Sequence, residues 1–207
     1  MKLIIGIPTI NRADLLNEAL ANYFEDFKNT EIVICDNGKQ EIITREKNFV
    51  IYKPENNLGV SGSWNMIMDY AEKVKGTHVL MLNDDIYLGK SEDEINTIIR
   101  LWKPEFLCTE LNWCSFLLSV DAYQKVGKFD ENFFPAYFED NDYFRRMLLT
   151  GVDITVNAML NPIIYRNSMT IQKTPELNNG FEKNRQYYIS KWGGQPTQET
   201  FETPFNK

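Results

Sequence analysis

His78-Val79-Leu80-Met81-Leu82-Asn83-Asp84-Asp85 is a compact apolar run that stops on an asparagine and two carboxylates. A run this short, bounded by turn residues, reads as a buried strand whose carboxyl end delivers a polar cluster. Upstream, Leu3 to Ile7 closes on Pro8-Thr9, Glu31 to Cys35 runs into Asp36-Asn37-Gly38, and Phe49 to Tyr52 runs into Lys53-Pro54. Leu15, Leu16, Ala19, Leu20 and Tyr23 recur at helical spacing after a polar Asn11, as do Val60, Trp64, Ile67, Met68, Ala71 and Val74. Ser91 with Glu94 makes a capping-box pattern ahead of Ile95, Ile98, Ile99 and Trp102. Four apolar strands alternating with helices predict an α/β fold, a mainly parallel sheet flanked by helices. Such sheets bind ligands beyond the carboxyl ends of their strands, and Pro8-Thr9, Asp36-Asn37 and Asp84-Asp85 all sit there.

Beyond residue 104 the pattern changes to short strands, aromatics and one clear helix. Phe116 to Val120 reads as a strand, Gly127 as a turn, and Glu139 to Leu149 as a helix with Tyr143, Met147 and Phe144 inward. From Thr170 the chain is polar and rich in Pro, Asn and Gly, a tail expected to lie over the domain with a short helix at Phe181 to Trp192. The whole has 207 residues, 43% hydrophobic, with 22 Lys+Arg against 29 Asp+Glu. That is enough apolar material for one core. A net charge of -7 disfavours a broad grip on nucleic acid. No segment approaches the ~18 consecutive apolar residues of a membrane span. MKLIIGIPTINR lacks a cleavage site and reads as the first strand, so the expected location is cytoplasmic. Cys35, Cys108 and Cys114 lack CxxC or zinc-ligand spacing and read as buried free thiols.

Three constellations carry chemistry. Asn83-Asp84-Asp85 places carboxylates side by side at the end of a buried strand, where a divalent cation would relieve their repulsion; a plain solvent-facing turn is the competing explanation. Asn57 to Asn65 (NLGVSGSWN) puts small residues where a helix begins, suited to close approach of a phosphate or nucleotide, or simply to an ordinary helix start. It is neither a P-loop nor a GxGxxG. Phe138-Glu139-Asp140-Asn141-Asp142 sets three acids at a helix N-terminus, favoured by the macrodipole, with Asp142 and Arg146 at i,i+4 spacing. The same position suits a general base.

In this order, IPTINR, CDNG, NNLGVSGSWN, MLNDD and VGKFDENFFPAYFEDNDYFRRM resemble the GT-A fold glycosyltransferases, in particular the inverting family-2-like enzymes, over residues 3 to 166. The resemblance implies a Rossmann-like sheet with a small acceptor-side β segment and a C-terminal tail. It divides the chain into a nucleotide-sugar half (1–103), an acceptor half (104–169) and the tail (170–207). Pro8, Thr9 and Arg12 match the first nucleotide-contacting loop, Asp36 the acid that contacts base or ribose, and Asn57, Gly59 and Asn65 the segment lining the nucleotide. Asp84 matches a ribose- or phosphate-side acid, Asp85 the metal ligand of a DxD-type motif, Asp140 the general base and Glu139 its companion. Asn83 departs from the pattern, standing where many relatives carry an acid. The one histidine, His78, lies inside the fourth strand and reads as a satisfied strand residue.

The implied activity is a hexosyl- or deoxyhexosyltransferase taking sugar from a nucleoside-diphosphate donor of UDP, GDP or dTDP type to a hydroxyl of a glycan or other small acceptor. Manganese or magnesium would stabilise the leaving diphosphate, and one displacement assisted by Asp140 would invert the anomeric centre. Phe133, Phe134, Tyr137 and Phe138 are candidates for a wall against which a sugar stacks, with at least half of them expected in the core. Arg185 and Lys191 are candidate tail contacts to the diphosphate; Lys191-Trp192-Gly193-Gly194 also suits a helix end with a glycine cap and a tryptophan anchor. The competing functions are a catalytically silent nucleotide-sugar-binding module, a transferase acting on a modified nucleic-acid base, and a sugar nucleotidyltransferase, whose Gly-rich first loop IPTINR lacks.

Overall fold

The computed structural model describes residues 1–44, 48–109, 112–166, 169–173 and 175–207. In chain order the elements are β1 (Leu3–Thr9), α1 (Ala13–Asp26), β2 (Glu31–Asp36), β3 (Phe49–Tyr52), α2 (Gly59–Lys73), β4 (His78–Leu82), β5 (Ile86–Tyr87), α3 (Glu92–Trp102), β6 (Phe106–Cys108), β7 (Ser115–Ser119), α4 (Val120–Val126), α5 (Glu139–Thr150), β8 (Ile154–Val156), β9 (Ile164–Tyr165), α6 (Met169–Lys173) and α7 (Phe181–Trp192). One seven-stranded sheet runs β3-β2-β1-β4-β7-β6-β8, and β5 pairs with β9 in a small second sheet. The four strands expected from the sequence are mutually parallel, whereas β7 is antiparallel to both β4 and β6. The sheet therefore crosses residue 104 without a break. Among the described residues no helix is long and apolar enough to cross a membrane.

Helices cover both faces, which explains why β1, β2 and β4 are continuously apolar. Leu3, Ile5 and Ile7 join the core under α1 and α3, while Ile4 joins the core under α2, α4 and α5. Gly6 is needed between them: a Cβ there would sit 2.6 Å from Ile67 and 2.7 Å from Met81, so only glycine lets α2 approach β1 this closely.

Helix starts follow local chemistry unevenly. The capping box of α3 forms as expected, Ser91 N–H reaching Glu94 at 2.9 Å and Glu94 N–H returning to Ser91 Oγ at 3.4 Å. At α1 the cap position falls to Arg12, not Asn11, which instead takes φ 54° in the turn after β1. Val120 leaves the strand assigned to it and begins α4, because the Ser119 hydroxyl accepts the Ala122 N–H as an N-cap. The tail helix spans the expected residues and ends on left-handed Gly193. Its Tyr188 and fully buried Trp192 pack with Phe133 in a separate small core.

Candidate active site

The cleft lies at the carboxyl edge of β1, β2 and β4 and encloses about 670 Å³ including its open mouth, within the range of small-molecule sites. Topology alone puts it there, since three parallel strands end side by side. Pro8 and Thr9 from β1, Asn37 after β2, Asn83, Asp84 and Asp85 after β4, and Asn57, Gly59 and Val60 at the start of α2 line it. Pro135 and Ala136 close one side, and Thr170 and Leu177 from the tail close another.

The two carboxylates are buried and each is held. Asp84 accepts the Thr9 hydroxyl at 2.7 Å and the Thr170 hydroxyl at 2.8 Å, and Asp85 accepts the Met169 N–H at 2.8 Å. Burial pushes the Asp84 carboxyl up to about 6; the two threonine hydroxyls oppose that rise and the neighbouring Asp85 adds to it. Burial raises Asp85 as well, opposed by the Met169 N–H and by Arg12. Two acids with elevated pKa values in one cleft form a site that a cation would relax.

Several predicted residues sit outside the cleft lining. Arg12 is buried, its Nε and Nη2 on Asp14 at 2.9 Å and its Nη1 without a partner, and it acts on Asp84 and Asp85 as a nearby positive charge. Asp36 is fully buried and organises the turn after β2, accepting the N–H of Gly38 at 3.1 Å and of Gln40 at 2.6 Å. Asn65 points the other way: it donates to Phe129 O and Glu131, and accepts the Phe129 N–H and the Tyr123 hydroxyl. The amides at the start of α2 are also satisfied within the protein, Leu58 N–H by Asn37 Oδ1, Gly59 N–H by Asn57 Oδ1 and Val60 N–H by Pro135 O. What this stretch offers a ligand is therefore close approach, not those free donors.

The tail contacts differ from expectation too. Lys191 is buried between Asp130, 2.6 Å away, and Asp142, 2.7 Å away, and Arg185 pairs with Glu182 on the surface of α7. Neither lines the cleft; the cap-and-anchor reading of the tail end is the one the geometry follows. Trp192 Nε1–H donates to Asp142 Oδ1 at 2.9 Å, and the structural pair Asp142–Arg146 forms at 2.9 Å. Of the four expected wall aromatics, Phe133 alone is buried; Phe134 is exposed, and Tyr137 and Phe138 are half-buried. The backbone reverses there, with positive φ at Tyr137 and Phe138; Phe138 packs against the small core of Phe133, Tyr188 and Trp192, and Tyr137 lies edge-on to Phe181.

Glu139 and Asp140 open α5, shortly after Ala136 of the cleft wall, and do not themselves line the cleft. Glu139 is buried with Oε2 unpartnered, and burial together with the Asp140 charge raises it well above the usual carboxylate range. Burial also raises Asp140, against the local N–H of Asn141. His78 lies at the amino end of β4, away from the cleft, its pKa lowered by burial. All three cysteines are free and buried.

Residues 4–103 match the family model described as Glycosyl transferase family 2. The fold is the GT-A fold found in solved glycosyltransferase structures. GalNAc-T7 with UDP, GalNAc and Mn2+ superposes with a TM-score of 0.66 at 10% identity, over 93% of this chain and 48% of that one. TarS of S. aureus gives 0.59 at 17%, over 76% and 35%. A mutant Drosophila beta1,4-galactosyltransferase 7 in complex with manganese, UDP-Gal and xylobiose gives 0.55 at 11%, over 83% and 73%. A galactofuranosyl glycosyltransferase of Leishmania donovani is 35% identical over 75 residues, 36% of this chain and 17% of that protein. The chain thus spans only a minor part of that relative and of TarS. At these identities the solved structures establish the GT-A architecture.

Proposed function

We propose that this chain is a metal-dependent transferase that moves a sugar from a nucleoside-diphosphate donor to a hydroxyl acceptor with inversion. The observation that carries the reading is the buried Asp84–Asp85 pair on the floor of a cleft made by three strand ends. Relatives of the same fold bound to UDP, to UDP-Gal and to manganese support the donor class.

The donor set fits a hard divalent cation such as Mg or Mn, being carboxylate oxygen held in the cleft, where burial disfavours the charged form and a cation would offset that cost. Among the described residues no third acid, histidine or cysteine completes a cluster, so Asp85 would be the principal protein ligand and the donor diphosphate and water would supply the rest. Bound there, the cation would act as a Lewis acid on the leaving diphosphate. Asp84, fixed by two hydroxyls, orients the ribose or phosphate side of the donor. Pro8, Thr9, Asn57 and Gly59 shape the wall around the nucleotide, and Arg12 adds positive charge from behind. In this reading residues 1–103 hold the donor, 104–169 the acceptor, and the 170–207 tail reaches the cleft through Thr170 and Leu177. Arg185 and Lys191 take no part in donor binding.

Asp140, paired with Glu139, takes the acceptor proton. The unpartnered Glu139 oxygen favours an active site over a silent module, since a buried carboxylate atom without a donor is costly unless function retains it. Because both acids are raised and the base must be ionised, turnover is expected to climb as pH rises through their shared titration. The test is release of nucleoside diphosphate from a panel of UDP-, GDP-, dTDP- and CDP-sugars. Asp140→Asn is expected to slow it about 100-fold or more with donor affinity unchanged; an undiminished rate would remove Asp140 from the base role.

A further inference from the structure

We infer that Asn184, on α7, is a positioning residue for the Glu139–Asp140 pair, holding the backbone ahead of α5 in the strained conformation from which that pair is presented. The inference rests on the transferase reading above and adds a residue outside the family match, which ends at residue 103.

The starting point is an outlier. Tyr137 and Phe138 are consecutive bulky residues with φ of 81° and 70°. Side chains of this size avoid that region because Cβ crowds the neighbouring carbonyl, and such conformations persist only where the surroundings hold them, most often at functional sites. The holding group is Asn184. Its side chain is fully buried, and Nδ2 donates to Ala136 O at 2.8 Å and to Tyr137 O at 3.3 Å, while its own Oδ1 has no partner among the described residues. An amide buried at the cost of an unsatisfied oxygen, with its protons directed to successive carbonyls, is retained for those carbonyls.

The opposite side of the segment is gripped as well. Pro135 O accepts the Val60 N–H at 2.9 Å, and Gly180 lies so close that a Cβ there would stand 2.7 Å from the Pro135 ring and 2.8 Å from Phe134 O. Residues 134–138 are thus fixed between the start of α2 and the start of α7, with Ala136 in the cleft wall. Phe138 serves as the N-cap of α5 in a left-handed conformation without a side-chain cap, so the direction in which Glu139 and Asp140 leave the turn is set by these backbone contacts. Relaxing Tyr137 and Phe138 to the right-handed region would re-aim both acids while leaving Asp84 and Asp85 untouched.

The test compares the parent, Asn184→Leu, and Asn184→Leu with Tyr137→Gly, using nucleoside-diphosphate release and calorimetric affinity for the same nucleotide with Mn. Asn184→Leu is expected to lower kcat about 100-fold, the scale of a small misplacement of catalytic groups, with nucleotide Kd and donor KM within about threefold of the parent. Glycine at 137 removes the side-chain penalty of the left-handed conformation, so the double variant is expected to regain about tenfold in kcat. A single variant with parental kcat, or one whose Kd worsens in step with kcat and which Tyr137→Gly does not restore, would overturn the positioning role alone. A parent that releases no nucleoside diphosphate from any donor would remove the transferase reading and this inference with it. If the leucine variant does not fold, Asn184→Ser is judged by the same comparison.

Discussion

Lys191→Ala is expected to cost about 3–5 kcal/mol of stability, the penalty for leaving buried acids without their cation, and to lower Tm by roughly 10 °C. The ammonium sits 2.6 Å from Asp130 and 2.7 Å from Asp142, and Lys191 and Asp142 are all but inaccessible to water. Arg146 and Trp192 still serve Asp142 after the substitution, but Asp130 keeps only Tyr187 and the groups of Asn132. Burial pushes Asp130 up, and its bonds to Lys191 and to Asn132 outweigh that and hold it below the usual range. A depressed carboxylate contributes stability above its unfolded pKa near 4 and loses it as pH falls through the folded value, so the gap between parent and variant should narrow in acid. Denaturant unfolding at neutral and acidic pH measures this. The exposed Lys128–Asp69 pair is the internal control: Lys128→Ala should change stability far less than Lys191→Ala. A Lys191 variant as stable as that control would refute the lock.

The second large effect has the opposite sign. Asp84→Asn is expected to stabilise the ligand-free protein by up to about 3 kcal/mol near pH 8, on the scale set by raising a carboxyl from 3.8 to about 6. The folded pKa lies above the unfolded one, so the stability tied to the protonated acid is fully present below about pH 4 and is lost as pH rises through 6. Asparagine imitates the protonated form: its Oδ1 can accept one of the two threonine hydroxyls, and its amide can donate to the other hydroxyl oxygen. Thermal melts should therefore show the variant several degrees above the parent at pH 8 and level with it at pH 4. A variant less stable than the parent at both pH values would contradict the assignment of Asp84 as strained by burial. A site residue whose removal stabilises the fold is what a function–stability compromise predicts.

Much of the cleft edge is legible in the sequence because its signals are local or follow from topology. Continuous apolar runs mark β1, β2 and β4, which are covered on both faces, and a parallel sheet then brings Thr9, Asn37 and Asp84 together. Ser91 and Glu94 announce α3 within four residues, and Lys191-Trp192-Gly193-Gly194 announces the capped end of α7. What escaped depends on partners remote in sequence. Nothing near Leu58 to Val60 reveals that Asn37 and Pro135 satisfy its amides, and nothing near Lys191 points to acids some fifty and sixty residues away. The α4 helix is hidden because Phe116 to Val120 reads as strand to its end, and only the Ser119 cap turns the chain. Thr170, Leu177 and Asn184 belong to no motif, and their roles appear only once the tail is folded over the cleft.

The proposed function rests on a metal-dependent nucleotide site at the β1, β2 and β4 edge. Its most direct test is thermal stability of the parent and of Asp85→Ala against UDP, GDP, dTDP and CDP, each with and without Mn. At ligand concentrations 100-fold above Kd, one nucleotide is expected to add about 2.7 kcal/mol of stability. The shift should require the metal and vanish in Asp85→Ala. A folded parent that responds to none of the four, or a shift that survives both metal removal and loss of the Asp85 carboxylate, would contradict it.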